Sequence, residues 1–489
     1  IKEDGKNIII SGKTDWGTEF GVYHFLESFL RIRWLMPTEL WTEIPYKTNL
    51  VVRNVNIVEN PAFKSRRLFP IEMDQQGALN NWGRQNRLRY RIDFHHNLRN
   101  LFKADDVVKN HPNFLPIVNG KLYIPTSNSD YKWQPNFKAK DIDVYASNEI
   151  IKYFKQNPNK SSYSLGINDS RNFDDSNLKN KNYSEAYYTW VNKTVSRVNK
   201  TYQTKKYGLL AYGGVSTPPT FKLESNVIPF ITYDRLLRND SKLNQRDNGI
   251  SAKWQEVSNQ IGWYDYVYGL EYAVPRIYFR LYQDNLQYAY SKNIQYYVAE
   301  FYPNWIEGPK GWLISKLLWN PNQNVDMLLE DWCRSAVGNE SAIYIKRFYE
   351  IWENFWTVDI QKSKWWNDGK IRTILPFRDL SYLNKIPYDK ILESEELLLN
   401  AYKKTNNEVY KKRIEDLLSM WKLMKMNYLY HRQKYSNSNR LNRTEIRNIN
   451  SIKVSKGDIE LQINKLDKNP LYSPLTPRLR EYWLKNSPL

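Results

Sequence analysis

From Phe63 to Trp305 the chain reads as short apolar runs separated by polar or amphipathic stretches. Buried strands are predicted at "RRLFPIE" (66–72), "YRIDFHH" (90–96), "SYSLGIND" (162–169), "YGLLAYGG" (207–214), "VIPFITYD" (227–234), "GWYDYVYG" (262–269) and "IQYYVAEFY" (294–302). A weaker candidate lies at "QPNF" (134–137), and "SEAYYTWVNKTVSRVNKTY" (184–202) carries its apolar residues at helical spacing. Strands alternating with helices predict an α/β fold, a (β/α)8 TIM-like barrel, over residues 62–309.

The flanks have different patterns. "NIIIS" (7–11) predicts a strand, and "DWGTEFGVYHFLESFL" a helix with its N-cap near Thr18. "NLVVRNVNIVENP" predicts a further strand ending at Pro61. Residues 1–61 therefore read as a partial N-terminal α/β accessory domain, too small to bury a core alone. Beyond 310 the apolar period becomes helical in "WLISKLLWN", "VDMLLEDWCRSAV" and "AIYIKRFYEIWENFW", then in two longer stretches at 388–405 and 407–434. Residues 310–489 are expected to form a C-terminal helical domain whose basic, polar tail, from about 437, is only partly ordered.

Composition narrows the function. The apolar runs are all shorter than the ~18 residues needed to span a membrane. Cys333 is the one cysteine, so no internal disulfide framework and no cysteine-rich zinc site can form, and it reads as a core thiol. His95 and His96 have no third ligand nearby, so neither a metal nor a cofactor is expected. The formal charge of +20 is dispersed, and no helix-turn-helix, RNP-like strand or zinc knuckle accompanies it. Nucleic acid is therefore not the expected partner. Eighteen Trp and 37 Tyr point elsewhere, because sugar rings present apolar C–H faces to flat aromatics. The opening "IKEDGKNIIISG" starts close to a strand, as a mature product does once its leader is removed. A secreted, periplasmic or cell-surface protein is expected.

In a barrel, chemistry sits at the C-terminal ends of the strands. Those ends supply Glu72 and Asp74, then His95, His96 and Asn97, then Asn168 and Asp169. The later ones supply Tyr212, Tyr233 and Asp234, the run Trp263, Tyr264, Asp265, Tyr266 and Tyr268 with Glu271 nearby, and finally Glu300, Tyr302, Asn304 and Trp305. Carboxylates, amides and aromatics without a metal cluster suit glycoside hydrolysis, in which two carboxyl groups flank the bond while rings hold the sugar. Asp169 in "GINDS" equally fits an Asx-turn or a helix N-cap. In "GWYDYVYG" one alternating set of side chains must face the helical layer.

"GVYHFLESFLRIRWLMPTE" resembles the accessory N-terminal domain of family 20 hexosaminidases and α-glucuronidases. "NWGRQNRLRY", "HPNFLPIVNGK", "SLGINDS", "YPNWIEGPKGWLISKLLWNPNQNVDMLLEDW" and "YEIWENFW" together resemble the domain of unknown function 4838, over about residues 9–357. That group includes the endo-β-N-acetylglucosaminidases of glycoside hydrolase family 163. The resemblance implies a hydrolase of a β-linked, N-acetylated amino-sugar glycan, with an oligosaccharide or polysaccharide as partner. Family 20 enzymes end strand four with Asp-Glu, whereas Asn168-Asp169 stands here, so Asp169 can fill only one of those two roles. The second carboxylate must come from another strand.

Glu300 is the best-placed candidate for the general acid/base, with Asp169 either orienting an acetamido group or acting as nucleophile. Trp263, Tyr266, Tyr302 and Trp305 are the expected ring platforms, and Asn97, Asn168, Tyr212 and His96 the expected polar contacts to substrate. Two rival readings exist. One is a barrel that has lost catalysis and binds glycans at the cell surface. The other is a hydrolase of a uronic or sulfated polysaccharide, for which Arg66, Arg84 and Arg91 are the candidate cations.

Overall fold

The computed structural model describes residues 1–485 apart from 47, 176–181, 436–448 and 450. Six strands form one parallel sheet: β1 (Ser65–Phe69), β2 (Ser162–Ser164), β3 (Lys206–Ala211), β4 (Val227–Tyr233), β5 (Gly262–Tyr266) and β6 (Tyr296–Glu300). Their spatial order is β1-β6-β5-β4-β3-β2, so the first strand pairs with the last and the sheet curls into a half-barrel. β4 is buried at all seven positions, as a parallel strand covered on both faces must be, which accounts for its unbroken apolar text. Helices α1 (Tyr183–Asn199), α2 (Ser241–Val257) and α3 (Phe279–Ser291) make the crossovers into β3, β5 and β6.

Of the eight expected strands, 90–96 and 134–137 do not join the sheet. The first occupies the gap between β1 and β2, where a parallel bridge joins His96 to Gly166 and side chains replace the rest of its ladder. Asp93 N–H donates to Ser162 Oγ at 2.9 Å, the Ser164 hydroxyl donates to the His95 carbonyl, and Asn97 Nδ2 donates to the Ser164 carbonyl at 2.9 Å. Gly166 and Gly208 make this approach possible, because a Cβ on either would sit 2.4 Å from the carbonyl oxygen of Phe94 or Asp93. At 134–137, Pro135 lacks a donor, and the Gln134 side chain grips Asn168 through two hydrogen bonds of 2.6 and 3.0 Å.

At the N-terminus Lys2–Asp4 pairs with Asn7–Ile9, and the helix spans Asp15–Phe29. Its N-cap is Thr14 rather than the Thr18 region, with Thr14 Oγ1 accepting the Gly17 N–H. The expected strand at 50–60 is an extended segment joined to residues 1–3 by two backbone bonds of 2.8 Å. The C-terminal part is helical, with α4 (Lys310–Trp319), α5 (Val325–Val337), α6 (Asn339–Asn354), α7 (Tyr388–Lys404) and α8 (Glu408–Tyr435). Cys333 is a fully buried thiol of α5. The expectation of a partly ordered tail from about 437 falls, at 436–448, outside the described residues. Beyond them α9 (Lys456–Leu466) and α10 (Thr476–Arg480) pack back onto the molecule. No helix of the described residues is long and apolar enough to cross a membrane.

Candidate active site

Strand register builds the site. Phe69 of β1, Glu300 of β6 and Tyr266 of β5 lie side by side at the C-terminal edge of the sheet. Because side chains alternate along a strand, Tyr264 and Tyr266 share one face of β5 and Trp263 and Asp265 the other. The tyrosine face is the inner one. Tyr264 and Tyr268 each donate a hydroxyl hydrogen bond to Glu300, one to each carboxylate oxygen. Burial raises the Glu300 pKa above the usual carboxylate range, and the two tyrosine hydroxyls, Arg478 and His96 offset only part of that rise.

Asp169 stands at the exposed rim of a cleft of about 860 Å³, with Tyr212 on its wall. Burial raises the Tyr212 phenol, and the charges of Asp169 and Glu300 raise it further. Burial likewise raises the Tyr266 phenol, on which Glu300, Tyr212 and Asp169 also act. Both candidate carboxylates thus act on the same two phenols. Residues 371–379 of the C-terminal part form the opposite wall. Asp234 holds this wall, its backbone N–H donating to Thr373 O at 2.8 Å and its Oδ2 accepting Leu375 N–H at 3.3 Å. The Phe377 ring stacks on Tyr268 at 5.1 Å.

Sequence reasoning missed a contribution from α10. Arg478 reaches back to pair with Glu271, which is only 2% exposed, and its guanidinium lies 3.6 Å from the centre of the Tyr302 ring. Tyr302 has φ +34°, a conformation that costs a non-glycine residue energy and is held where surrounding structure over-determines it. No signal in the strand pattern pointed to Arg478, because 207 residues separate it from Glu271. Residues 371–379 follow no strand and were equally hidden.

Four of the predicted contacts are corrected. Trp263 is fully buried on the helical side of β5, where its Nε1 donates to Ser251 Oγ at 3.1 Å and Arg235 covers its ring at 3.9 Å. Trp305, 3% exposed, packs against Trp82 and Phe301 in the core. Neither can be a platform. The Asn97 amide donates to the Ser164 carbonyl and its oxygen accepts from Asn100 at 3.0 Å, so the fold uses both ends. Asn168, 1% exposed, donates to Trp133 O at 2.7 Å and accepts Arg99 N–H at 2.8 Å.

The Asn168 pair of bonds explains why a neutral amide stands there, since a carboxylate cannot donate to a carbonyl. Asn168→Asp is therefore expected to cost about 1–3 kcal/mol, read as a lower unfolding midpoint. An unchanged midpoint would return Asn168 to the list of substrate contacts.

Tyr266 and Tyr302 remain inner aromatics beside Glu300. His96 Nδ1 donates to the Ile167 carbonyl, which fixes that tautomer, and its ring lies 6.2 Å from Tyr212. His95 is neutral, its pKa pushed down to about 3 by burial, Arg67 and His96. Among the described residues no group of three or more His, Cys, Asp and Glu converges as metal ligands do.

The curled parallel half-barrel with a helical C-terminal part is a fold of glycoside hydrolases. A family 89 glycoside hydrolase from Clostridium perfringens, in complex with PUGNAc, superposes with a TM-score of 0.51 at 10% identity, over 93% of this chain and 59% of that one. A family 89 enzyme of that organism bound to its substrate GlcNAc-α-1,4-galactose gives 0.52 at 9% identity, with the same two coverages. A family 115 4-O-methyl-α-glucuronidase with specificity for decorated arabinogalactans gives 0.49 at 12% identity, over 98% of this chain and 66% of that one. The chain thus spans well under two thirds of the family 89 enzymes. No curated protein sequence matches it. The chain belongs to the family described as domain of unknown function (DUF4838), whose pattern matches residues 36–350.

Proposed function

We propose that this protein is a glycoside hydrolase cleaving a β-linked glycan that carries an N-acetylated amino sugar, with Glu300 as general acid/base and Asp169 as its partner. The observation that carries the reading is Glu300 itself, a carboxyl group at the C-terminal end of a parallel strand whose pKa burial has raised. Protonated Glu300 delivers its proton to the departing glycosidic oxygen as the bond to the anomeric carbon breaks. As that bond breaks, either an acetamido group oriented by Asp169 or Asp169 itself bonds to the anomeric carbon, and a water that gives its proton to Glu300 then attacks that carbon and releases the sugar. Tyr212, Tyr266 and Tyr302 supply the ring and hydroxyl surface. The same reading places the protein outside the cytoplasm, where such glycans are met.

The tyrosine clasp favours a second assignment within the same reaction. Two hydroxyl donors stabilise an ionised carboxylate, which suits a nucleophile.

The pH profile of kcat/KM on a complex N-glycan tests the first assignment. Glu300 must be protonated to act as acid, and its raised pKa keeps it protonated to higher pH than an ordinary carboxyl group. Activity is therefore expected to persist above the ordinary glutamate pKa of about 4.3 and to fall as pH rises through the Glu300 pKa. A profile whose alkaline limb sits at the ordinary carboxylate pKa removes Glu300 as the acid, and failure to cut any glycan favours the non-catalytic binding protein.

A further inference from the structure

We propose that the cleft beside Asp169 binds an anionic substituent of the glycan, a sulfate or a carboxylate, through Arg171, Arg372 and Arg378. The inference rests on the reading that this cleft holds a glycan. Arg171 follows Asp169 in the loop after β2, and Arg372 and Arg378 belong to the wall at 371–379, so two separate elements bring three arginines to the lining of one cleft. All three are exposed, and among the described residues none has an ion-pair or side-chain hydrogen-bond partner.

Several buried or half-buried arginines elsewhere are paired with acids. Arg84 bonds Glu19 at 3.0 Å, Arg87 bonds Glu27 at 2.8 Å, and Arg276 and Arg413 bond Asp234 and Glu43 at 2.7 and 2.8 Å. The acids facing the three cleft arginines are Asp169, which acts on Tyr212, and Asp379, whose Oδ1 is occupied by the Ser381 N–H at 2.9 Å. The cleft is left with a positive balance. Its wall is also anchored. Asp234 fixes Thr373 and Leu375, and the Tyr482 hydroxyl donates to Phe377 O at 2.7 Å, so Arg372 and Arg378 flank a positioned backbone. A planar guanidinium meets two oxygens of a sulfate or carboxylate at once, which an ammonium group cannot.

The cations expected from sequence are not at this cleft. Arg84 is spent on Glu19, Arg66 is fully buried with all its bonds to backbone carbonyls, and Arg91 lines a separate cleft beside Ser162.

Isothermal titration of the Glu300→Gln protein, which binds without turning over, provides the test. The probes are a keratan sulfate oligosaccharide, its desulfated form, and a hyaluronan tetrasaccharide whose charge is carboxylate alone. At least one charged probe is expected to bind about tenfold or more tighter than the desulfated one at about 0.05 M salt, and the advantage should shrink at about 0.5 M as screening grows. Which charged probe shows it distinguishes sulfate from carboxylate. Replacing Arg171, Arg372 and Arg378 by Gln should abolish the advantage, whereas replacing the exposed Lys109, Lys242 and Lys253 by Gln should not. Arg171→Gln and Arg372→Gln singly, each expected to remove part of the advantage, serve if the triple variant fails to fold.

Equal affinity for the charged and desulfated probes would overturn the proposal, as would an advantage that survives loss of the three arginines. Hydrolysis of the probes by the unaltered protein is read separately. Absence of hydrolysis of all three probes, beside charge-selective binding, would sink the hydrolase reading and leave the arginine site standing.

Discussion

Glu300→Gln is expected to lower turnover on the glycan by about 10²- to 10⁴-fold, the usual worth of a general acid, with substrate affinity little changed. Glutamine keeps the shape, and its carbonyl still accepts one tyrosine hydroxyl, but its NH₂ cannot deliver a proton to a leaving oxygen. The leaving group separates the two assignments of Glu300. A dinitrophenyl glycoside departs without protonation, so the variant should retain most of its activity on that substrate if Glu300 is the acid. If Glu300 is the nucleophile, both substrates are lost together, because no glycosyl-enzyme bond can form. Release of sugar from the natural glycan at an unchanged rate would make Glu300 a structural residue clasped by Tyr264 and Tyr268.

Much of this architecture was legible in the chain, and the reasons differ from element to element. Helices beyond 310 were readable where they bury one continuous stripe, as in α5 with Val325, Leu329, Trp332, Cys333 and Ala336. β3, β4 and β6 were readable because parallel strands covered on both faces need apolar text, and β1, β2 and β5 as shorter mixed runs beside it. Residues 90–96 carry the same text, yet Ser162, Ser164 and Asn97 meet their backbone groups with side chains, a substitution that only the folded arrangement exposes. Glu300 stood out as an acid at the end of a buried run, and it ends β6 at the C-terminal edge of the sheet.

The two wrong tryptophans have different lessons. Trp263 and Tyr266 lie three positions apart in one strand, so they cannot both face the cleft, and the alternation rule already held that information. Trp305 lies in a 3-10 turn beyond the strand, where no such rule assigns a face. Arg478 and residues 371–379 were illegible for a third reason. They reach the site by the packing of the helical part on the half-barrel, and local sequence does not encode that docking.

Asp234 is one buried anchor of that docking, and its loss should have a large effect on stability. Asp234 (1% exposed) takes two hydrogen bonds from Arg276 Nη2, at 2.7 and 2.9 Å, and Arg276 is wholly buried. The same carboxylate accepts Leu236 N–H at 3.2 Å and Leu375 N–H at 3.3 Å, so one side chain joins the end of β4 to the cleft wall. Asp234→Ala strands the guanidinium with the Tyr266 carbonyl as its remaining side-chain partner, at 2.7 Å. Removing one member of a buried pair costs about 3–5 kcal/mol, and denaturant unfolding should show a loss of that size. Leu375 is released at the same time, so Phe377 no longer rests firmly on Tyr268 and KM should rise with the fall in stability. Changing both members, Asp234→Ala with Arg276→Met, removes the stranded charge, and the double variant should be more stable than Asp234→Ala alone. If the double variant is the weaker of the two, the cost lies in the lost contacts of Asp234 to Leu236 and Leu375, and the buried charge is not what holds the wall.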